Sequence, residues 1–544
     1  MKKTLALLTA VLMLMGTLAG CAAPAATTAP AAPAEAAAPA DAAAPAADAA
    51  APAAEETPAR EVLNIGEYDE EWVAADLIQG DTFYDLQMMM AEPLFLYNHD
   101  TGALEGCLAT TPEFNEDGTV MTFEVPEGRT FASGATLDAE DVKASLEHGI
   151  TDGGMSDTFA IIEKVEVDGN KVIVTMKNYS TALLILLVSP FFCVIDSDQL
   201  ATMTNEELLW GAQPYGAYYI DTYTEGSGVV LKRNEGFKTL NPSIENKGAA
   251  YIPTINVTWY GDEFAMISAF ESGELDFMIG ITEDSLNVLG NNEDVVVNST
   301  LPPMVRNVQM NTNSKFLSDK NVRTAISYLI NRDEIVAAFG GDLCCTKTYC
   351  YITKNVMFHT EGAGEYFKEN YAENTEKAMQ LLKEAGWEDT DGDGLLDKNG
   401  EKMTLTFNTA GGKNETAALA IQIQLRKAGL DVNVVTTTES TQLAKDGLYD
   451  LTMCNYWWSE PARFLNGMFK DHNCFDETEY QAMRNEIETT TDNDRRFELV
   501  DEAQKYLMDQ MVVLPLYTTS YMKIYRKDLN PIFIVDGMFT NDCK

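Results

Sequence analysis

The sequence predicts an α/β protein built as two lobes, and three observations lead to that prediction. Ile255 to Trp259 has the pattern of a strand, Asp262 to Glu271 that of a helix, and Phe277 to Ile279 that of a second strand. This order is typical of parallel strands covered by helices. The same order returns after Asn311. Roughly 480 residues follow the N-terminal extension, enough for two large lobes with a substantial core.

The stretch from Phe114 to Gly149 gives the most detailed local prediction. Asn115 to Gly118 consists of turn-forming residues. Thr119 to Val125 then alternates apolar and polar residues, which is the pattern of a half-buried strand. Asp138 can cap a helix, and Asp141 stands three residues later, as in a capping box. We therefore predict a turn, a strand and a capped helix in that order.

The second α/β stretch is predicted to begin with one long helix, from Asp319 to Phe339, whose apolar residues recur at helical spacing. The elements predicted after it are helices at 375–385 and 415–428 and strands at 404–408, 430–435, 449–454 and 512–516.

The N-terminus has the pattern of an export signal. Lys2 and Lys3 precede an apolar run, and the segment ends at Leu18-Ala19-Gly20-Cys21, a lipobox. We expect residues 1–21 to be a lipoprotein signal peptide, with Cys21 lipidated and holding the protein to a membrane. An uncleaved anchor is the alternative. Residues 22–60 are rich in Ala and Pro and predict a disordered linker.

Charge and cysteine content limit the partners. Lys and Arg number 38 against 84 Asp and Glu, a net charge of −46. Such a chain repels nucleic acid and anionic lipid, so we expect no nucleic-acid partner. Eight cysteines besides Cys21 permit either disulfides or free buried thiols in an exported protein.

One acidic stretch resembles the start of a calcium loop. Its donors are Asp389, Asp391, Asp393 and Asp397, with Gly394 at the sixth position. The twelfth position, where a calcium loop has Glu, is Gly400. A solvated turn is the alternative to this weak calcium candidate, and we expect no metal and no cofactor.

Two sequence patterns carry a resemblance to a known family. The first consists of Phe131, Gly134, Ala139, Asp141 and Val142. With it, the chain resembles the extracytoplasmic solute-binding proteins of oligopeptide and dipeptide ABC importers, family 5. The second is Val322-Arg323-x-Ala325 followed by Asn331-Arg332-x-x-Ile335, where Asn331 replaces the family's Asp.

The resemblance implies a periplasmic-binding-protein-like fold, with two α/β lobes joined by a hinge. Residues 61–94, 211–310 and 515–544 would form lobe I, residues 95–210 an inserted strand-rich subdomain, and residues 311–514 lobe II. It also implies a monomer that captures a small molecule or short peptide and delivers it to an ABC permease, outside the cytoplasm and without covalent chemistry. An exported sensor or adhesin is a second hypothesis. Nothing in the sequence supports an exported hydrolase.

The alignment with the family also suggests ligand-binding residues: Gln79, Asp81, Phe83, Tyr84, Arg306, Asn307, Asn455, Tyr456, Trp457, Trp458 and Glu460. In peptide binders of the family, an Asp that pairs with the ligand's amine stands where this chain has Trp457. That replacement implies a modified, non-peptide or otherwise anchored ligand. Asp81 or Glu460 could supply a carboxylate, and Arg306 could take a ligand carboxylate. A surface or interlobe ion pair is the alternative for Asp81 and Arg306. For the two tryptophans, the alternative is that one lies in the core and the other beneath the lobe interface.

If Cys21 is the lipidated residue, Cys21→Ser will release the protein from membranes into the soluble exported fraction. A single acyl chain holds only marginally, so the diacyl group expected at a lipobox is what makes the tether stable. Fractionation of cells that express either form measures this. Equal membrane retention of both forms would contradict the lipobox interpretation.

Overall fold

Two large sheets and one smaller sheet carry the fold. The computed structural model describes residues 60–68, 74–80, 84–189, 191–469, 478–534 and 537–544. These residues belong to one unit, Thr57–Lys544. The predicted signal peptide, its Cys21 and the predicted linker up to residue 59 lie outside the described residues.

The first part of the chain alternates short strands and helices before the first large sheet is completed. Its elements are β1 (Val62–Tyr68), α1 (Tyr84–Met90), β2 (Phe95–Tyr97), β3 (Leu104–Gly106), β4 (Glu113–Phe114), β5 (Val120–Glu124), α2 (Ala139–Thr151), α3 (Ser156–Phe159), β6 (Ile162–Asp168), β7 (Lys171–Met176), α4 (Thr181–Val188), α5 (Ser197–Thr202), α6 (Asn205–Gly211), β8 (Tyr218–Thr224), β9 (Gly228–Arg233), β10 (Thr254–Tyr260), α7 (Glu263–Ser272), β11 (Phe277–Ile279), α8 (Glu283–Leu289) and β12 (Val295–Thr300).

The second part contains the longer helices. Its elements are β13 (Met304–Met310), α9 (Lys320–Leu329), α10 (Arg332–Ala338), β14 (Cys345–Lys347), α11 (Gly362–Tyr371), α12 (Thr375–Glu384), β15 (Asp397–Lys398), β16 (Glu401–Lys402), β17 (Thr404–Thr409), α13 (Lys413–Lys427), β18 (Asp431–Thr436), α14 (Ser440–Lys445), β19 (Leu451–Trp457), α15 (Pro461–Phe469), α16 (Thr478–Thr489), α17 (Asn493–Gln510), β20 (Val513–Thr519), β21 (Tyr521–Arg526), β22 (Ile532–Ile534) and β23 (Gly537–Phe539). Within the described ranges, none of the helices combines the length and the apolar character needed to cross a membrane.

The first large sheet has seven strands in the order β12-β21-β11-β1-β10-β9-β8. β1 is parallel to β10 and to β11, as the strand–helix–strand pattern predicts. Leu63 and Ile65 of β1 are fully buried. Gly66, which points to the other face, lets α7 pack closely, because a Cβ there would lie 3.0 Å from Met266. The central strands are therefore covered on both faces.

The second large sheet has six strands in the order β14-β20-β13-β19-β17-β18. β17 is parallel to β18 and β19, while β13 is antiparallel to both of its neighbours. The four strands predicted for this region are found as β17, β18, β19 and β20. An α/β layer, with α13 between β17 and β18, is thus present here as well.

Two segments of chain supply strands to both large sheets. One runs from β12 into β13 and the other from β20 into β21; β12 pairs with β21, and β13 pairs with β20. The first segment leaves regular pairing at Leu301 to Pro303 and the second at Ser520. Pro302 and Pro303 have no N–H to donate, so the ladder cannot continue through them. We call these two interruptions the crossing.

The positions of β13 and β20 differ from the predicted lobe limits. The limits place residues 211–310 and 515–544 in lobe I, but β13 and β20 are hydrogen-bonded within the six-stranded sheet. Pairing between strands so far apart in the sequence has no local signature. The division of the chain into two lobes with these numerical limits stays a prediction.

The segment between the first strands of the seven-stranded sheet is rich in strands, as predicted. A four-stranded sheet has the order β4-β5-β7-β6, and Met121 and Phe123 of β5 face its core. The predicted capping box of α2 is present: Asp138 accepts from the helix backbone, and Asp141 Oδ2 accepts from Asp138 N at 2.9 Å.

The predicted single helix from Asp319 to Phe339 is two helices. α9 ends at Leu329, and Ile330 has an extended backbone. The Asn331 side chain then caps α10 by accepting from Glu334 N at 3.0 Å. Asn offers its own acceptor to a helix start, and here that local bond outweighs the continuous apolar pattern that suggested one helix.

The cysteines favour the free-thiol alternative wherever they are described. Seven are free: Cys107, Cys193, Cys344, Cys345, Cys350, Cys454 and Cys543. All but Cys454 are buried. Cys474 lies outside the described residues.

Glu92 is a fully buried carboxyl in the link between α1 and β2. It accepts hydrogen bonds from the Thr239 hydroxyl and, at 3.3 Å, from Cys107 Sγ. Burial raises the pKa of Glu92 to about 7, against a smaller lowering by the Thr239 hydrogen bond. A carboxyl of this kind is held in its neutral form over most of the acidic range.

Glu92 should make the protein less stable as the pH rises from 4.5 to above 7. Because the folded-state pKa lies above the unfolded value, the stabilising contribution of the protonated form is complete below the unfolded pKa and is lost as the pH passes the folded pKa. The loss is roughly 3 kcal/mol. Urea unfolding of wild type and Glu92→Gln at several pH values measures it, with the exposed Glu116→Gln as control. Parallel pH profiles for wild type and Glu92→Gln would contradict this assignment.

Candidate functional site

The carboxyl ends of two parallel strands, one from each sheet, lie next to the crossing: Ile279 of β11 pairs with Lys523, and Trp457 of β19 pairs with Met304. β1, β10 and β11 end at Tyr68, Tyr260 and Ile279, while β17 and β19 end at Thr409 and Trp457. Ligands of α/β proteins bind outside the carboxyl ends of the strands. This edge is therefore where the predicted ligand-binding residues should come together.

Trp457 lies at the crossing. Its ring is 6.4 Å from that of Tyr521, the first residue of β21, at an interplanar angle of 79°. Trp457 is half-buried. An indole in this position offers an apolar surface with an electron-rich face, which suits an apolar or cationic group.

Trp458 is engaged by the protein itself. Its ring stacks on Phe191 with centroids 5.8 Å apart and planes 16° from parallel. The Arg463 guanidinium lies 5.2 Å from the Trp458 ring centroid, and Arg463 Nη1 donates to Thr158 Oγ1 at 2.9 Å. Phe191 thus covers one face of Trp458, a residue that the sequence suggested for ligand contact.

Glu460 does not offer its carboxylate to a ligand in this structure, contrary to the sequence-based suggestion. It is fully buried and accepts from Ala462 N at 3.1 Å, from Arg463 N at 2.6 Å and from Thr181 Oγ1 at 3.1 Å. Burial raises the pKa of this carboxyl. Glu460 therefore caps the start of α15 and ties it to α4. Pro461 at the first helical position was the sequence signal for this role.

Arg306 and Asn307, adjacent on β13, point to opposite faces of the sheet. Arg306 Nη1 donates to Asn455 Oδ1 at 2.8 Å and to Asn414 Oδ1 at 3.2 Å. Burial lowers the pKa of Arg306, and no carboxylate of the described residues pairs with it. Asn307 is fully buried and donates to Val305 O at 2.8 Å. The structure thus places Arg306 and Asn455 together, and Asn307 in the core.

Gln79 and Tyr456, two further predicted residues, contact other parts of the protein. Gln79 Nε2 donates to Asp76 Oδ2 at 2.5 Å, and the same oxygen lies 3.2 Å from His148 Nε2. Tyr456 packs on α15, because a Cβ on Gly467 would lie only 2.4 Å from its ring. Asp81 and Phe83 lie outside the described residues, and Tyr84 begins α1.

A cavity of about 550 Å³ lies near Trp457 and Trp458. Sequence reasoning missed its lining, because isolated polar residues on loops have no pattern. A narrow space of about 10 Å³ next to Trp457, Trp458 and Phe191 shares Ile185 and Ser459 with it. The polar residues that line the larger cavity include His99, Asp100 and Glu105, then Ser299 and Thr300, and then Lys354 and Asn355.

The acidic stretch at 389–397 is organised as a turn. Carboxylate oxygens of Asp389, Asp391 and Asp397 lie within 4.8 Å of one another. Lys402 Nζ lies 3.2 Å from Asp391 Oδ2 and also pairs with Asp393, which is not in that group. A lysine ammonium thus supplies the positive charge, which fits the solvated-turn alternative.

Removing the Glu460 carboxylate should destabilise the protein. Glu460→Ala leaves two backbone donors of α15 and the Thr181 hydroxyl without their acceptor, which costs about 1–3 kcal/mol. Thr181→Val removes one of those bonds and should cost about 1 kcal/mol. Urea unfolding followed by far-UV circular dichroism compares both with wild type. A Glu460→Ala protein as stable as wild type would refute the capping role.

The amino-acid sequence is similar to those of bacterial solute-binding proteins. The family "Bacterial extracellular solute-binding proteins, family 5 Middle" matches residues 103–474. The oligopeptide-binding protein AppA of Bacillus subtilis is 25% identical over 336 residues, an alignment that spans 58% of each chain. The nickel-binding periplasmic protein of Escherichia coli is 23% identical over 477 residues, 82% of this chain and 87% of that one.

Solved structures share the fold. NikA from Brucella suis, in complex with Fe(III)-EDTA, has a TM-score of 0.74 at 22% identity, covering 89% of this chain and 99% of that one. AppA from B. subtilis, in complex with a nonapeptide, has a TM-score of 0.64 at 17% identity, covering 89% and 98%. The chain, whose two sheets meet at a double crossing, belongs to the family 5 bacterial extracellular solute-binding proteins.

Proposed function

We propose that this protein is the substrate-binding lipoprotein of an ABC importer, which captures a peptide or peptide-like solute at the crossing and presents it to a membrane permease. The observation that carries the proposal is the 550 Å³ cavity at the meeting of the two sheets in a chain of this family. A volume of this size suits a drug-sized ligand. Membrane attachment through Cys21 and action as a monomer belong to the same proposal.

The proposed mechanism is closure of the lobes on the ligand. A ligand that touches both sides of the crossing favours the closed state by its difference in affinity for the two states. Trp458, Glu460 and Arg463 contact Phe191, Thr181 and Thr158 of the strand-rich segment. These contacts join the segment from Trp458 to Arg463 to the strand-rich segment. They would add to the binding free energy by which the ligand favours the closed state. No covalent step is involved.

The replacement at Trp457 bears on the ligand class. An indole face attracts an ammonium for roughly 0.5–2 kcal/mol. A buried ion pair lost with no replacement costs roughly 3–5 kcal/mol. Trp457 therefore cannot substitute for a carboxylate with tight binding of ordinary peptides preserved. The proposal is a peptide-like solute that lies against Trp457 and whose amine is held elsewhere.

A metal chelate is a second candidate ligand. The relative named as nickel-binding covers 82% of this chain, and NikA of B. suis binds Fe(III)-EDTA. In the part of the chain that the structure describes, the group of side chains able to hold a metal is the lysine-paired turn at Asp389, Asp391 and Asp397. A chelate that brings its own ligands would need no such group.

Native mass spectrometry of the full chain, purified without refolding, will identify the solute. We expect a co-purified peptide-like molecule, and elemental analysis of the same sample detects a chelated metal. Calorimetry with unmodified di- to pentapeptides should give weak binding, further weakened by Trp457→Ala and unchanged by the exposed control Trp210→Ala. Submicromolar binding of many such peptides, unaffected by Trp457→Ala, would rule out the role of Trp457.

A further inference from the structure

The β2–β3 hairpin of the strand-rich segment docks on the loop that precedes α11. Phe358 N donates to the Tyr97 hydroxyl at 3.0 Å, and the two rings lie 5.5 Å apart at an interplanar angle of 69°. A Cβ on Gly102 would lie 2.6 Å from the Phe358 ring, so glycine lets the hairpin come this close. Asn493, the first residue of α17, donates from Nδ2 to Thr101 O at 3.4 Å. The hairpin is therefore joined to the part of the chain that leads into β20.

Arg496 lies at the centre of this contact, and its side chain is fully buried. The guanidinium carbon is 4.7 Å from the centroid of the Phe358 ring and 5.1 Å from that of the Tyr179 ring. Tyr179 belongs to the strand-rich segment, between β7 and α4, whereas Arg496 and Phe358 come from the later part of the chain. We call these three residues the clasp, because its cation contacts an aromatic ring from each side of the interface.

The cation of the clasp has no counter-charge among the described residues. Arg496 Nε donates to Ile487 O at 3.1 Å and Nη1 donates to Asn493 Oδ1 at 2.8 Å, both neutral acceptors. Nη2 is buried and has no acceptor in the described parts of the chain. A buried cation without a carboxylate loses hydration that neutral acceptors and ring faces replace only in part. Docking of Tyr179 thus gains a cation–π contact, and desolvation of the guanidinium opposes that gain.

Phe358 is held in a strained backbone conformation. Its φ is 57°, in the left-handed region that a bulky side chain rarely adopts. The hydrogen bond to Tyr97, the contact with Arg496 and an edge contact with Phe497 at 5.1 Å hold it there. Backbone strain of this kind persists where the surroundings impose it, and it is typical of switch segments. Since undocking of the hairpin removes the bond to Tyr97, the strain at Phe358 also favours undocking.

The strand-rich segment is fixed to the other large sheet as well. Asn234, which follows β9 of the seven-stranded sheet, donates from Nδ2 to Thr130 O at 2.9 Å. Leu240 N donates to Cys107 O at 2.9 Å. Movement of the seven-stranded sheet away from the six-stranded sheet would carry the strand-rich segment with it. The contacts of the clasp must then part.

We propose that Arg496, Tyr179 and Phe358 form a reversible clasp that regulates opening of the protein. The ring contacts draw the strand-rich segment onto α17, and the unpaired buried charge keeps the contact weak enough to part while the rest of the chain stays folded. The inference rests on the proposed function and deepens it by naming residues that set the balance between closed and open states. The clasp adjoins the 550 Å³ cavity, whose lining includes Tyr97 and Met357.

Hydrogen exchange of single amides tests the clasp on the full chain without any ligand. The Phe358 amide is protected by its bond to Tyr97, which exists only while the clasp is closed. The Met310 amide donates to Val512 O at 2.8 Å, where β13 meets β20, and reports unfolding of the whole chain. In wild type we expect the protection factor of the Phe358 amide to be lower than that of the Met310 amide by a factor of about ten or more.

Two substitutions should move the Phe358 amide in opposite directions. Tyr179→Leu keeps an apolar side chain but removes the ring that faces the guanidinium, so exchange should be about fivefold faster. Arg496→Met removes the buried charge and keeps a flexible apolar side chain against both rings, so exchange should be about fivefold slower. Tyr251→Leu, at an exposed tyrosine, is the matched control and should change neither amide.

The Met310 amide separates the clasp from general stability, because a variant that is merely less stable speeds up both amides equally. Equal protection of Phe358 and Met310 in wild type would show that the clasp parts only on unfolding, which overturns the proposal. An unchanged ratio of the two rates in Tyr179→Leu, or faster exchange of Phe358 relative to Met310 in Arg496→Met, overturns it as well. Capture of a solute is tested separately by native mass spectrometry and stands or falls without the clasp.

Discussion

Two antiparallel segments that run through both large sheets are the constraint on which the rest of this structure depends. β12 and β21 pair in one sheet, and their continuations β13 and β20 pair in the other. Any relative movement of the sheets must be absorbed where regular pairing stops, at Leu301 to Pro303 and at Ser520. Pro302 and Pro303 fix φ and remove two donors, so the bend is confined to a few residues. The carboxyl ends of β11 and β19 lie beside these interruptions, so a ligand bound there as proposed would contact both sheets.

Buried charges hold the elements that surround this link. Arg332, at the start of α10, is almost fully buried and donates to Pro515 O of β20, with its guanidinium 4.7 Å from the Tyr349 ring. Arg323 of α9 donates to Met511 O at 2.9 Å, just before β20. Each arginine thus donates to a backbone carbonyl in β20 or just before it. The strand that returns through the crossing is thus positioned by side chains from both helices.

Local sequence patterns predicted many of the helices and strands, but they did not predict which distant strands pair with one another. The alternation at Met121 and Phe123 and the capping pair Asp138 and Asp141 depend on neighbours within a few residues, so they could be read directly. The break at Asn331 could have been read from its capping side chain, but the apolar stripe outweighed it. Sheet membership of β13 and β20 depends on partners far along the chain, which no single sequence displays.

The candidate site, too, could be predicted only in part from the sequence. The aromatic end of β19 was visible because tryptophans after a strand are unusual, and the structure does bring Trp457 to the crossing. What engages Trp458 and Glu460 was not visible, since Phe191 and Thr181 come from a distant segment. The charged residues that line the cavity, Asp100, Glu105 and Lys354, come from two distant segments, a combination that only the folded chain assembles.

The free cysteines have a consequence for how this protein survives outside the cytoplasm. Burial raises the pKa of Cys345, Cys350 and Cys543 to about 12, so almost none of each is thiolate at neutral pH. Since the thiolate is the reactive form, these three buried thiols stay unreactive while the chain stays folded. Reagents that trap thiols would therefore mark the moments when a lobe opens locally, and each cysteine would report on its own part of the molecule.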